Sequence, residues 1–476
     1  MAKPQRLEGR TRTGARRAKP PRDSEPRQRQ SRPGRGAAGG GATSSLGEKL
    51  LTVLVSALED PRPADLLLRD FFRSQPALGR RERGQIAETV FDVLRYRRLY
   101  AHWAQSGSGP LPRRLALLSQ MRRSLRQGGP AAPVTLAGAR APLIGDADEQ
   151  TWLARIAGLS TEGLAASIRL SLPDWLYQTL VAERGEPAAE AIGEALLAPA
   201  PLDLRVNSLK LGIDEAVERL GADRIVATVL PGVPGALRVE GKPALERSDV
   251  FVQGGVEVQD AGSQVLAQLL TPRRGQTLVD FCAGAGGKTL ALAALLRGSG
   301  QVYACDVSAG RLQRLRPRLA RAGATNVQPM AIDSERDPKL VRLAGRADAV
   351  LVDAPCSGSG TLRRNPDLKW RLEPAEVERL QQVQTSILAA AARLVKPGGV
   401  LVYATCSLLR AENQQVVEAF AAAHQDFVLE PMPALLAKLG IAVGRRDGSE
   451  SPYLELRPDL DDCDGFFAAR WLRTRS

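Results

Sequence analysis

Five short apolar runs between Thr277 and Thr405 constrain this chain more than any other feature. They cover 277–282, 301–306, 327–332, 349–353 and 400–405. Each has the length of a buried strand, and helical patterns lie between them. The clearest of those patterns places Val377, Leu380, Val383, Ile387, Leu388, Ala391 and Leu394 on one face. Lys396-Pro397-Gly398-Gly399 reads as its stop signal. Strands alternating with helices predict an α/β fold with a doubly wound, Rossmann-like parallel sheet over 256–476. Ligands of such a sheet sit beyond the carboxyl ends of its strands.

A chain of 476 residues is too long for one ordinary core, so further domains are expected. In 46–148, Leu50, Leu51, Leu54, Val55 and Leu58 recur at helical spacing, as do Ile86, Val90, Val93 and Leu94. This predicts an all-helical domain, with 126–148, rich in Gly, Pro and Ala, as a linker. Arg95, Arg97 and Arg98 read as a solvated face. Residues 149–255 mix a helix opened by Pro173, a strand-like run at 202–210 and a helix at 213–220, which predicts a small α+β module.

The net charge is +14, and residues 1–41 hold twelve Lys/Arg against three Asp/Glu, a net of +9. With almost no large apolar residue, 1–45 reads as a disordered basic tail that would add salt-sensitive affinity for nucleic acid. No apolar run approaches the roughly 20 residues that span a bilayer, and no secretory signal is visible. Five cysteines without CxxC spacing and two histidines argue against a disulfide framework, a zinc site and a Ser-His-Asp triad. A monomer in a reducing, cytoplasmic setting is expected, with no metal and no membrane partner.

The first strand run leads into a Gly-rich turn, and Cys282, Ala283, Gly284, Ala285, Gly286, Gly287 and Lys288 form the predicted cofactor loop. Glycine there lets the backbone approach a ligand, and the next helix offers free N–H groups. Asp306 ends the second run, where a carboxylate accepts ribose hydroxyls. Asp333 follows the third run, placed to meet an adenine amino group, and Asp353 ends the fourth. A P-loop would need glycine where Cys282 stands, and GxGxxG fails because Lys288 and Thr289 follow Gly287 directly. S-adenosylmethionine suits the pattern best.

Two thiols, Cys356 and Cys406, stand in polar turns just after the fourth and fifth runs. A methyl donor beside two thiols points to methylation of an unreactive carbon. A thiolate adding to carbon 6 of a pyrimidine makes carbon 5 nucleophilic, while N3 takes a proton or hydrogen bond. Asp353 is placed to contact N3. Either thiol could attack. Cys305 and Cys463 read as buried small hydrophobes.

The segments DAPCSGSGTLRRNPDLKW (353–370), YATCSLLRAENQQVV (403–417), DFCAGAGGKT and DGFFAARW resemble the motifs of the RsmB/Sun-type RNA cytosine-carbon-5 methyltransferases. The likeness spans roughly 170–476. It implies that Cys406 is the nucleophile, that Cys356 assists proton removal or product release, and that Asp353 and Lys288 complete the catalytic group. It implies S-adenosyl-L-methionine held by residues 282–288, Asp306, Asp333 and Asp353, and RNA, 16S rRNA above all, as substrate. Two alternatives are a tRNA enzyme of the same chemistry and a noncatalytic RNA-binding assembly factor. The helical region is similar, more weakly, to NusB-like RNA-binding domains. Arg363, Arg364, Lys369, Arg371 and Trp370 read as a loop that holds phosphates and stacks a base.

Overall fold

The computed structural model describes residues 45–133, 135–136, 139–444 and 451–475, so the basic tail, save Ser45, lies outside the described residues. The helical pattern beyond it becomes α1 (Leu46–Glu59), α2 (Ala64–Ser74), α3 (Arg80–Arg95), α4 (Arg97–Ala104) and α5 (Leu111–Arg126). Ser45 caps α1 by taking the Glu48 N–H, and the Glu48 carboxylate takes the Ser45 N–H in return. Leu50, Leu54, Ile86, Val90, Tyr100 and Leu118 are fully enclosed between these helices. The stretch expected as a linker carries a short antiparallel pair, 135–136 with 139–140. Helix α6 (Ala147–Ala157) then returns Trp152, Leu153 and Ile156 to the same core, so the helical region continues past 148.

The α+β module holds α7 (Asp174–Arg184), α8 (Glu186–Leu197) and α9 (Ile213–Ala222). Its strands are β1 (Leu202–Val206), β2 (Ala227–Val229), β3 (Ala236–Val239) and β4 (Val256–Val258). They form an antiparallel sheet in the order β2-β3-β1-β4. The sheet therefore takes in three residues past the boundary expected at 255.

The third region opens with α10 (Ala261–Gln268) and β5 (Thr277–Asp280), followed by α11 (Gly287–Leu295), β6 (Gln301–Asp306), α12 (Ala309–Ala322) and β7 (Val327–Ala331). Then come β8 (Ala347–Asp353), α13 (Pro374–Ala392), β9 (Val395–Thr405) and α14 (Gln414–Ala423). Strands β5 to β9 are parallel in the order β9-β8-β5-β6-β7, so their carboxyl ends open on one side. Three antiparallel strands were not foreseen: β10 (Phe427–Leu429), β11 (Leu454–Leu456) and β12 (Phe466–Arg473). Strand β12 lies between β9 and β10, and β11 pairs with β12.

The Lys396–Gly399 stretch is not the helix stop that its composition predicts. Helix α13 ends at Ala392, and the four residues bulge out of β9 opposite Asp348, between the pairs Ala347–Val395 and Ala349–Val400. Gly398 takes a φ of 74° there, which suits glycine alone.

The basic loop after Cys356 also differs from expectation. Lys369 is buried and gives its ammonium to the Arg95 carbonyl at 2.7 Å. The Trp370 indole N–H reaches the Leu94 carbonyl at 2.6 Å, and Arg95 donates to the Arg363 carbonyl at 2.9 Å. Arg98, read as solvated, pairs with Asp174 and the Leu172 carbonyl. These cations and the indole join the helical region to the rest of the chain. Burial, with the Arg95 charge nearby, holds the Lys369 amine well below the ordinary lysine range.

The Cys356 turn also meets the start of β12 backbone to backbone. Gly465 N–H donates to the Gly360 carbonyl at 2.8 Å, and Gly360 N–H donates to the Cys406 carbonyl at 2.9 Å. A Cβ on Gly360 would stand 2.2 Å from the Gly465 oxygen. Gly360→Ala is expected to lower the unfolding free energy by about 2 kcal/mol or more, read from denaturant titrations.

Candidate active site

A cavity of about 680 Å³ opens beyond the carboxyl ends of β5 to β9. That is within the range of about 300–1,000 Å³ typical of small-molecule sites. Each strand contributes from its end or the turn beyond it, which is why residues from Gln259 to Cys406 share one space. Cys282, Ala283, Gly284, Ala285, Gly287, Lys288, Asp306, Asp333, Asp353, Cys356 and Cys406 all line it. Gly286 is the exception among the expected residues. It takes φ 87° at the start of α11, and a Cβ there would stand 2.1 Å from Leu315. Glycine at 286 is therefore required by helix packing.

Asp306 organises the loop. One of its oxygens takes the Gly284 N–H at 2.7 Å and the other takes the Ser308 N–H at 2.7 Å. Each carboxylate oxygen keeps a further lone pair for a ligand hydroxyl. Asp333 is exposed at the rim. Phe281, Val307, Ile332, Val383 and Ile387 add apolar wall, suited to a planar ring. Arg311, on α12, adds a cation. These side chains were not foreseen, because separate elements bring them in and none carries a local motif.

Lys288 reaches from α11 to Asp353 Oδ2 at 2.7 Å. Burial works against its charge, but the Asp353 carboxylate, with Cys406 and Asp280 nearby, outweighs burial and holds its pKa above the ordinary lysine value. The ammonium therefore stays protonated beside Asp353.

The two thiols meet. Cys356 Sγ lies 3.3 Å from Cys406 Sγ, and the Cys406 N–H points to Cys356 Sγ at 3.3 Å. The hydrogen bond with Cys406, then burial, pushes the Cys356 thiol well above the ordinary range, so it keeps its proton. Cys305 is buried in β6, with its thiol pushed up to about 12 by burial, and Cys463 is buried too.

The residue that positions this pair is Glu412, fully buried after β9. One of its oxygens takes the Ser357 N–H at 2.7 Å and the Gln384 amide at 3.0 Å, and the other takes the Ser407 hydroxyl. It thus binds the neighbours of both cysteines. Ser359 reinforces this by taking the Leu408 N–H at 2.8 Å and approaching Ser407 at 3.1 Å. Glu412 stands in the run of 403–417 noted above. Nothing in its spacing shows that the side chain turns inward.

Asp280 lies beneath the loop. It takes the Thr289 hydroxyl at 2.6 Å, and its other oxygen has no partner. Burial raises its pKa from 3.8 to about 7. The folded state therefore holds this proton more tightly than the unfolded chain. That stabilisation is complete below the unfolded value of 3.8 and is lost as pH climbs through about 7. Asp280→Asn should remove this fall, so the stability gap between variant and wild type, measured by denaturation at pH 4 to 8, should widen up to about pH 7 and then stay flat. Glu412→Ala orphans three donors and should cost roughly 3 kcal/mol. It should also speed alkylation of the thiols by iodoacetamide as the two turns loosen.

The comparisons with known proteins agree with this architecture. The family described as 16S rRNA methyltransferase RsmB/F matches residues 267–472, and the RsmF/B-like ferredoxin-like domain matches 172–246. The chain is 36% identical over 312 residues to a probable ribosomal RNA small subunit methyltransferase B of Synechocystis sp., covering 65% of this chain and 69% of that protein. It is 34% identical over 299 residues to the protein of the same description from Bacillus subtilis, covering 62% and 65%. Among solved structures, PH0851 superposes with a TM-score of 0.69 at 25% identity, over 90% of this chain and 98% of that one. A methyltransferase homolog from Pyrococcus horikoshii gives 0.55 at 29% identity, over 66% and 100%. On these matches, the chain belongs to the 16S rRNA methyltransferase RsmB/F family.

Proposed function

We propose that this protein methylates carbon 5 of a cytosine in RNA, with small-subunit rRNA as substrate and S-adenosyl-L-methionine as cofactor. The observation that carries the reading is the thiol pair 3.3 Å apart, beside the Lys288–Asp353 pair, at one end of the strand-end cavity. The cofactor fits the residues present. The 282–288 backbone and Asp306 would hold its polar groups, Asp333 the adenine edge, and Phe281 and Ile332 a ring face. When bound, it supplies an electrophilic methyl group.

The chain's own residues do the rest. Cys406 is the nucleophile on carbon 6 because the Cys356 thiol, 3.3 Å away, is held in its protonated form and is the poorer nucleophile of the two. As the Cys406 sulfur bonds to carbon 6, its proton passes by way of Asp353 to N3, and the Lys288 ammonium at 2.7 Å faces the Asp353 carboxylate that takes and gives it. After methylation the carbon 5 proton leaves to water. Cys356 S–H then supports the Cys406 sulfur as its bond to carbon 6 breaks.

A second cavity, of about 710 Å³, reaches Cys356 past Arg97, Trp370 and Arg371, so the target base has an approach separate from the cofactor's. A flipped-out base is required for chemistry on its ring. The names of the relatives favour rRNA over tRNA, and a cytoplasmic setting follows from that substrate.

RNA carrying 5-fluorocytidine tests the reading, because fluorine cannot leave as the carbon 5 proton does. With cofactor present, the wild-type protein should form a covalent adduct on small-subunit rRNA and not on tRNA. Cys406→Ser should abolish the adduct and Cys356→Ser should keep it. Loss with Cys356→Ser alone would exchange the two roles. A protein that traps no RNA would favour a binding factor.

A further inference from the structure

We infer that a phosphate group binds at a second site, in a cavity of about 600 Å³ where the helical region, the α+β module and the loop after Cys356 meet. Six cations line it: Arg95 on α3, Arg123 and Arg126 on α5, Lys242 after β3, and Arg363 and Arg364 in the loop. Only two carboxylates line it, Glu88 and Asp92.

Four of the six cations are paired, Arg363 with both Asp462 and Asp464. Glu88 takes both Arg123 and Lys242, and Asp464 and Asp260 take Arg364. Asp92 accepts the Tyr100 hydroxyl at 2.7 Å. Arg126 donates to the Tyr96 hydroxyl at 2.6 Å, and Arg95 to the Arg363 carbonyl at 2.9 Å. No ion pair to Arg95 or Arg126 occurs among the described residues, within 4.0 Å. Burial depresses the Arg95 pKa, and the Asp92 carboxylate nearby only partly offsets it.

The guanidinium donors at the cavity wall are also incompletely used. Arg363 is 3% exposed, and its Nη2 has no hydrogen-bond partner although its Nε holds Asp464 at 3.0 Å. The Arg95 Nε is also buried and unpartnered. An oxyanion seated against Arg95, Arg126 and Arg363 would supply the ion-pair partner that Arg95 and Arg126 lack, and guanidinium groups match phosphate geometry.

The source assigned is a phosphodiester of the RNA substrate, so this step rests on the proposed function. Arg363 follows Cys356 by seven residues in one loop, which ties the site to the catalytic turn. A strand held here would be fixed in register without being read in sequence.

The test uses the full chain, the double variant Arg126→Gln/Lys242→Gln and the charge-keeping Arg126→Lys. Cofactor binding by each variant serves as the control for folding. Inorganic phosphate should raise the melting temperature of wild type and Arg126→Lys but not of the double variant. The double variant should bind a small-subunit rRNA transcript roughly tenfold more weakly. Its slope of log affinity against log salt should be shallower by about 0.7 for each phosphate that it no longer neutralises. Phosphate stabilisation without any change in RNA binding would overturn the RNA source and leave a free-phosphate site. If neither measurement changes, the site is overturned. A wild type that binds no RNA would fail the proposed function, while the phosphate measurement would still decide the site.

Discussion

Glu412 links the two turns that carry Cys356 and Cys406. Cys356 and Cys406 are fifty residues apart, and adjacency of β8 and β9 brings their strand ends together. Adjacency alone does not fix two flexible turns to within a sulfur contact. One buried carboxylate, shared between the Ser357 backbone, the Ser407 hydroxyl and the Gln384 amide, does so. Gln384 also donates to the Pro355 carbonyl at 2.9 Å, which anchors α13 to the same turn. The Tyr403 hydroxyl donates to the Glu412 carbonyl at 2.6 Å and fixes the short segment that carries the acid. A buried carboxylate is costly unless its lone pairs are filled, and here the filling partners are the turns themselves. The thiol contact and the satisfaction of Glu412 therefore stand or fall together.

Much of this was legible in sequence because strand ends are short-range features. An apolar run followed by Asp306 or Asp353 marks its own carboxyl end, and the doubly wound topology places those ends on one side. What sequence could not show is direction and inward turn. Strand β12, nearly all buried, reads as one more apolar run, and nothing local says that it enters antiparallel between β9 and β10. Gly286 looked like a ligand contact because it sits in a Gly-rich turn. Its real constraint, contact with Leu315 across the next strand and helix, is a tertiary fact.

The loop of 363–371 shows the same limit from the other side. Arginine, lysine and tryptophan together suit a nucleic-acid surface, and composition cannot tell that from a domain joint. The structure uses their donors on main-chain carbonyls of α3, at Leu94 and Arg95. A lysine buried on a single carbonyl loses its charge readily, so Lys369 is a poor phosphate ligand. Arg363 differs because its guanidinium faces two carboxylates, Asp462 and Asp464, and one of its nitrogens has no partner.

Cys356 lines both the strand-end cavity and the cleft against the helical region, whereas Cys406 lines only the first of the two. The helical region therefore forms one wall of the cleft that reaches Cys356, since Ala57, Leu58, Leu94 and Arg97 face it from that side. Trp370 belongs to that wall and to the joint at once, packed on the helical core with Arg97 5.6 Å from its ring. Shifting the helical region would open the cleft and also break the Trp370–Leu94 and Lys369–Arg95 hydrogen bonds. Both bonds arise from the loop that Cys356 begins. Docking of the helical region and the shape of the cleft are thus one structural variable, and a ligand that binds better to the docked arrangement must also favour the closed cleft.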